Sequence, residues 1–249
     1  MSTVEPTATS PTAAGAASPA AVEAARERRW IRVQAASGLA FATFLALHLV
    51  NTAVAPAGPE AYDGFQSAAR AFYQQPIVEI GLVLAPLAAH VTASVARIAR
   101  RRRRKAPRPG LRMRLHRYTG WFLLAVIVGH VLATRGVGFW FDAPAGFGAL
   151  NFSLELVPYW FVPYYIALGA SGAFHLWSGL AIALRVFGVR VPRAFERGPG
   201  FWLPVGAAAA LVAVAVLSLW GVFFPVDRAH WGEWVRVYAD FTGTDVDAL

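Results

Sequence analysis

Five separate stretches of this sequence are long and apolar enough to cross a hydrocarbon core as helix, which narrows the possible folds more than any other feature. A core roughly 30 Å thick takes about 20 residues at 1.5 Å each. The stretches run near Val33 to Val54, Pro76 to Ile98, Arg117 to Gly136, Pro158 to Leu184 and Phe201 to Phe224. Composition agrees: 57% of the 249 residues are apolar and only 15% charged, against about 25% charged in soluble domains. Lipid offers no partner to an open backbone, so the expected fold class is an all-α integral membrane protein, a bundle of five transmembrane helices. Pro86 and Pro163 lie inside spans and are tolerated where neighbouring helices satisfy the freed carbonyls.

The net charge of +9 raises nucleic-acid binding as an alternative, which the placement of the 23 basic residues argues against. Four precede the first span (Arg26, Arg28, Arg29, Arg32), eleven lie from Arg97 through Arg117, and four lie between the fourth and fifth spans. Only Arg70, Arg135, Arg228 and Arg236 fall on the other side, with ten of the fourteen acidic residues. Basic loops stay in the cytoplasm, so the N-terminus is expected inside, the C-terminus outside, and the chain in the cell's inner (cytoplasmic) membrane as a multi-pass protein. The Arg100 to Lys105 run then reads as a topology signal and anionic-lipid contact, with no nucleic-acid partner. Trp30 and Trp202 at the inner boundary, and Trp140, Trp160 and Trp220 at the outer, fit an interfacial belt. The domains expected are a disordered tail over 1–29, a membrane domain over 30–225 and an outer tail over 226–249, with His230 interfacial beside Trp231 and Trp234.

Four of the six histidines fall inside spans, one on each of the first four: His48, His90, His130 and His175. The alternating helix directions put His48 and His130 roughly 20 Å from the inner ends, and His90 and His175 roughly 12 to 13 Å. Levels about 8 Å apart cannot share one metal ion bonded at about 2 Å, which leaves two separate two-histidine sites. Two axial imidazoles are what a low-spin b-type haem needs, since the porphyrin supplies four nitrogens. The chain has no Cys, and no Asp or Glu near these levels to complete a bare zinc or copper site. Two haem b groups are therefore expected, His48 and His130 holding the outer and His90 and His175 the inner; polar packing between helices is the alternative. Gly38, Gly120, Gly129, Gly169, Gly172 and Gly179 supply room for close approach or for a macrocycle. His116 lies 14 residues before His130, a spacing that resembles the paired ligands of the cytochrome b of quinol-oxidising complexes and of ferric reductases. Those families use it on two helices and it occurs here once, so His116 is expected to be interfacial or, with Arg117 and Arg135, a partner of haem propionates.

The order of these features resembles the five-helix, di-haem cytochrome b anchor of succinate:quinone oxidoreductases, quinol:fumarate reductases included. The matching residues are Ser37-Gly38 and Leu47-His48-Leu49-Val50-Asn51; Pro76 and Glu79 leading to Pro86 and His90; His116-Arg117-Tyr118-Thr119-Gly120 leading to His130; and Phe174-His175-Leu176 with Gly179. The resemblance covers about residues 30 to 225. It implies a membrane anchor that carries electrons between an iron–sulfur subunit docked on the cytoplasmic face and membrane quinone, menaquinone or ubiquinone. The dicarboxylate chemistry would belong to a flavoprotein subunit with FAD. Cytochrome b561-type carriers, which usually have six spans, and a non-haem anchor or transporter are the other readings.

A quinone site needs exchangeable groups near the outer haem and open to lipid. Asp63, Gln66, Arg70, Gln74, Gln75 and Glu79 concentrate them, and Glu79 is the only carboxylate expected inside a span. The competing reading is an amphipathic surface helix whose polar side chains simply face water.

Overall fold

The computed structural model describes residues 18–101, 109–141, 143 and 145–245. Among these residues all regular structure is helical. In chain order the helices are α1 (Pro19–Val54), α2 (Pro59–Tyr73), α3 (Pro76–Arg100), α4 (Leu111–Trp140), α5 (Phe147–Leu156), α6 (Pro158–Val186), α7 (Pro199–Leu219) and α8 (Trp231–Thr242). Five of them, α1, α3, α4, α6 and α7, are long and apolar enough to cross a membrane. The described residues are thus those of a helical multi-pass membrane protein.

The tail expected to be disordered through residue 29 is helical from Pro19. Ser18 Oγ accepts from Ala21 N–H at 3.3 Å, and Pro19 takes a first-turn position where a missing N–H is no loss. Alanines at 20, 21, 24 and 25 favour helix, and Glu27 accepts from Arg97 Nε at 3.1 Å, tying this extension to α3. Residues 1–17 and 102–108 lie outside the described residues, and with them most of the Arg100 to Lys105 run.

The five spans alternate in direction, so their ends collect into a basic end and an acidic end. At the basic end Arg112 Nη1 donates to the Glu196 carbonyl and Arg185 pairs with the Glu196 side chain. At the acidic end Asn151 Nδ2 donates to the Leu219 carbonyl at 3.1 Å. Four helices form a ring in which α1 packs on α3, α1 on α6, and α6 on α4; α7 lies outside it against α6 and α1. Small residues set the closeness: a Cβ on Gly169 of α6 would sit 2.6 Å from Val212 Cγ1 of α7. Among the described residues α3 and α4 do not pack along their length, leaving that side of the ring open.

The acidic end carries three short helices that the spans alone do not require. Gly58, at φ 105° in a region that favours glycine, turns the chain from α1 into α2. Tyr62 of α2 and Phe147 of α5 then join Leu154, Val216 and Leu219 in a buried cluster. Asp63 Oδ1 accepts from Phe147 N–H at 2.7 Å and so caps the first turn of α5. The segment expected to be an outer tail contains α8, whose Trp231, Trp234 and Tyr238 pack around Phe152 of α5. Asp63→Ala removes the cap, and a fall in thermal stability equivalent to about 1 kcal/mol is expected in detergent. An unchanged midpoint would mean that packing alone holds α5.

Candidate functional site

The ring encloses a cavity of about 1710 Å³ that runs from Arg97, Met113 and Arg117 near the basic end to Arg70, Glu79 and Tyr238 near the acidic end. That exceeds the roughly 300 to 1,000 Å³ of a single small-molecule site. His48, His90, His130 and His175 all line it, and they meet in two pairs across the ring. The rings of His48 (α1) and His130 (α4) have centroids 5.9 Å apart at 74°. Those of His90 (α3) and His175 (α6) are 6.4 Å apart at 88°. Two imidazoles on opposite sides of one iron stand roughly 6.2 Å apart, given about 2 Å per metal–nitrogen bond and about 1.1 Å from ring atom to ring centre. Both pairs fit that separation, and the cavity leaves room around them.

Hydrogen bonding defines the tautomers of the pair nearer the basic end. His90 Nδ1 lies 3.0 Å from the Gln34 carbonyl, and His175 Nδ1 lies 3.1 Å from the His116 carbonyl. A carbonyl only accepts, so each Nδ1 carries the proton and each Nε2 keeps its lone pair. A metal-binding histidine needs that arrangement. The supporting carbonyls come from neighbouring helices. No protein group donates to or accepts from the ring nitrogens of His48 and His130 among the described residues.

Two of the glycines are needed for these contacts. A Cβ on Gly38 would lie 2.8 Å from His90 Nδ1, and one on Gly120 would lie 3.0 Å from His175 Cε1. Gly129, beside His130, has no atom within 4 Å of its would-be Cβ, so it leaves open volume instead.

His116 belongs to the cavity wall. Its ring stacks on His175 at 4.1 Å and 10°, it lines the cavity, and its Nδ1 is buried without a partner. Arg117 is exposed at the cavity rim. At the other end, Arg135 and Glu79, expected in separate roles, form one ion pair. Arg135 Nε donates to Glu79 Oε1 at 2.8 Å and Arg135 Nη2 to Oε2 at 3.2 Å. Gln66, Arg70 and Gln74 line the same end of the cavity, with Gln66 Nε2 donating to Tyr62 OH at 3.4 Å. Gln75 instead donates to the Ala71 carbonyl. Asp63 stands apart, in a side chamber of about 190 Å³ shared with Gln66 and Arg70. Partial burial raises its carboxyl above the ordinary range, opposed by the Phe147 N–H. Burial likewise pushes the Tyr62 phenol up.

The ion pair owes its position to two wide turns. Residues Glu79–Leu84 of α3 and Leu132–Gly136 of α4 are π-helical, with Ala85 N–H reaching back to the Ile80 carbonyl and Val137 N–H to the Leu132 carbonyl. In α3 the cause is Pro86, which has no N–H to give to the turn before it. In α4, Thr134 Oγ1 donates to the His130 carbonyl at 2.7 Å within the wide turn. Five residues of regular α-helix would put Arg135 about 140° around from His130; the wide turn over Leu132–Gly136, within which Arg135 lies, reduces this. Glu79, about 20° from the face of His90 in a regular helix, swings to about 80°.

Sequence reasoning missed Gln34, Ser94 and Arg97, a basic-end network in which Gln34 Nε2 donates to Ser94 Oγ at 2.7 Å and Gln34 Oε1 accepts from Arg97. It also missed the cavity wall formed by Trp234, Val237, Tyr238 and Phe241 of α8. The spacing of those four at 3, 1 and 3 residues was a readable signal of an apolar helix face.

No protein-family model, curated protein or solved structure matches this chain. No group of three or more His, Cys, Asp or Glu that could hold a metal ion occurs among the described residues; the histidines converge in pairs and one stacked neighbour. Gly38→Val crowds the His90 ring against backbone, and a loss of about 1 to 3 kcal/mol of stability is expected. Gly206→Ala, where nothing lies within 4 Å, is expected within about 0.5 kcal/mol of the parent. Equal thermal midpoints for the two variants would count against the tight α1–α3 contact.

Proposed function

We propose that this chain is the membrane anchor and electron-transfer subunit of a succinate dehydrogenase or fumarate reductase complex. The observation that carries the reading is the pairing of four histidines from four different spans across one cavity, at separations suited to two axial ligands. His48 and His130 would hold one b-type haem and His90 and His175 the other. Two such haems, when bound, supply one-electron carriers in series along the bundle. The carbonyls of Gln34 and His116 orient the second pair and raise its basicity through the Nδ1 protons. His116 and Arg117 are the propionate partners near the basic end. Arg135 is committed to Glu79 and is the weaker candidate for that role.

The basic end is the cytoplasmic face in this reading, because 19 of the 23 basic residues collect there. An iron–sulfur subunit would dock on it, with the FAD-bearing flavoprotein beyond. Membrane quinone would exchange electrons and protons at the acidic end, where Glu79 is the candidate proton-exchanging group, with Gln66, Arg70 and Gln74 as further donors to the ring oxygens. Asp63 is the lesser candidate, since its carboxyl holds the start of α5.

Purification of the complex with a reduced-minus-oxidised spectrum tests the reading. Two b-type signals and co-purifying flavin and iron–sulfur subunits are expected. His130→Ala should remove one signal and His90→Ala the other. A fully folded, colourless chain would overturn the haem assignment, and haem without soluble subunits would favour a b561-type carrier. Glu79→Gln should slow quinol turnover by about 100-fold with both haem signals unchanged.

A further inference from the structure

We propose that the Glu79–Arg135 ion pair is the latch of a lateral entrance between α3 and α4, with Arg135 as the positioning residue that controls admission of a lipid-dissolved ring compound to the cavity. The inference rests on the proposed function for the identity of the ligand, and on geometry for the entrance itself. Three of the four neighbouring helix pairs around the ring pack together, and α3 with α4 does not. The ion pair spans that open side, and among the described residues it is the one polar link between the two helices. Its side chains are 22% (Glu79) and 39% (Arg135) exposed. Ile80, next to Glu79 in sequence, is exposed and lies off the cavity wall, whereas Leu84 and Val131 line the cavity. Charges at such a place persist only when paired, and an ionisable pair inside a span is a functional candidate by default.

The chemistry of the latch suits a ring that carries oxygen as carbonyl or hydroxyl. Arg135 offers N–H donors that a ring carbonyl can take over from Glu79, and the freed Glu79 carboxylate can accept from a ring hydroxyl. A bidentate arginine–carboxylate pair therefore exchanges for two hydrogen bonds to the entering ligand without leaving either charge unpartnered. The π turns give the pair a way to part. Passing the extra residue along the ladder turns the end bearing Glu79 or Arg135 by about 100° while the backbone bonds are kept. At the acidic end the cavity is walled by α2, α5 and α8, so the side of the ring is the direct route from lipid.

Two measurements on the full chain in lipid nanodiscs test the latch. The first follows association and dissociation of a fluorescent alkyl-hydroxyquinoline quinone analogue by stopped flow. Glu79→Gln/Arg135→Gln should raise both rates at least tenfold, Arg135→Lys should stay within about threefold of the parent, and the exchanged pair Glu79→Arg/Arg135→Glu should restore slow rates. The second uses the absence of native cysteine. Leu87→Cys, on the cavity wall, should react with a lipid-soluble maleimide at least tenfold faster in the Gln/Gln background, whereas Val214→Cys on the outer face of α7, 40% exposed, should react equally in both. Parental analogue kinetics together with unchanged Leu87→Cys labelling overturn the latch. Failure of the parent to bind the analogue overturns the quinone assignment, and faster labelling in that case still supports the entrance.

Discussion

An imidazole carried into an apolar bundle has two nitrogens to satisfy, and the interior of this protein is arranged around that demand. Burying an unpaired polar group costs a few kcal/mol. His90 and His175 meet it at Nδ1 with carbonyls lent by neighbouring helices. Those contacts need backbones close enough that Gly38 and Gly120 leave no space for a Cβ. The same closeness draws α1 onto α3 and α4 onto α6, and it leaves the rings of His90 and His175 6.4 Å apart across the cavity. One local requirement thus sets the glycine positions, the helix contacts and the geometry of the candidate site.

The two ends of the bundle are built differently. At the basic end the α1 extension, held by Glu27 to Arg97, continues a network through Gln34 to the carbonyl that supports His90. Three contacts, Glu27 to Arg97, Arg97 to Gln34 and Gln34 to His90, link that extension to a cavity-lining histidine. At the acidic end three short helices close over the cavity, with Asp63 holding α5 in place and aromatic side chains of α8 packed around Phe152. The cavity is thus walled at one end and flanked on one side by two helices that do not pack along their length.

Helix periodicity is interrupted where Glu79 and Arg135 meet. A regular α-helix would have turned Arg135 further from the face of His130; the wide turns in α3 and α4 lie where the two charges come together. The pair fills the one side of the ring where helix packing is missing, so the local irregularity and the global gap are two aspects of one feature.

The sequence by itself determined the number of spans and the position of each histidine along its helix, because span length and hydropathy are properties of each segment taken alone. The pairing of His48 with His130 and of His90 with His175 was legible for the same reason: residues at equal depth on different helices are the ones able to meet. The helical start at Pro19 and the wall formed by α8 are written in a capping residue and an apolar spacing, beside a tail composition that points the other way. Only the tertiary structure decided that His116 stacks on His175, that Asp63 caps α5, and that Glu79 and Arg135 form one pair. Each of these depends on the rotation of one helix about its axis relative to another. Rotation is set by packing and by π turns that shift every later residue by about 100°, and a linear pattern of side chains does not record that shift.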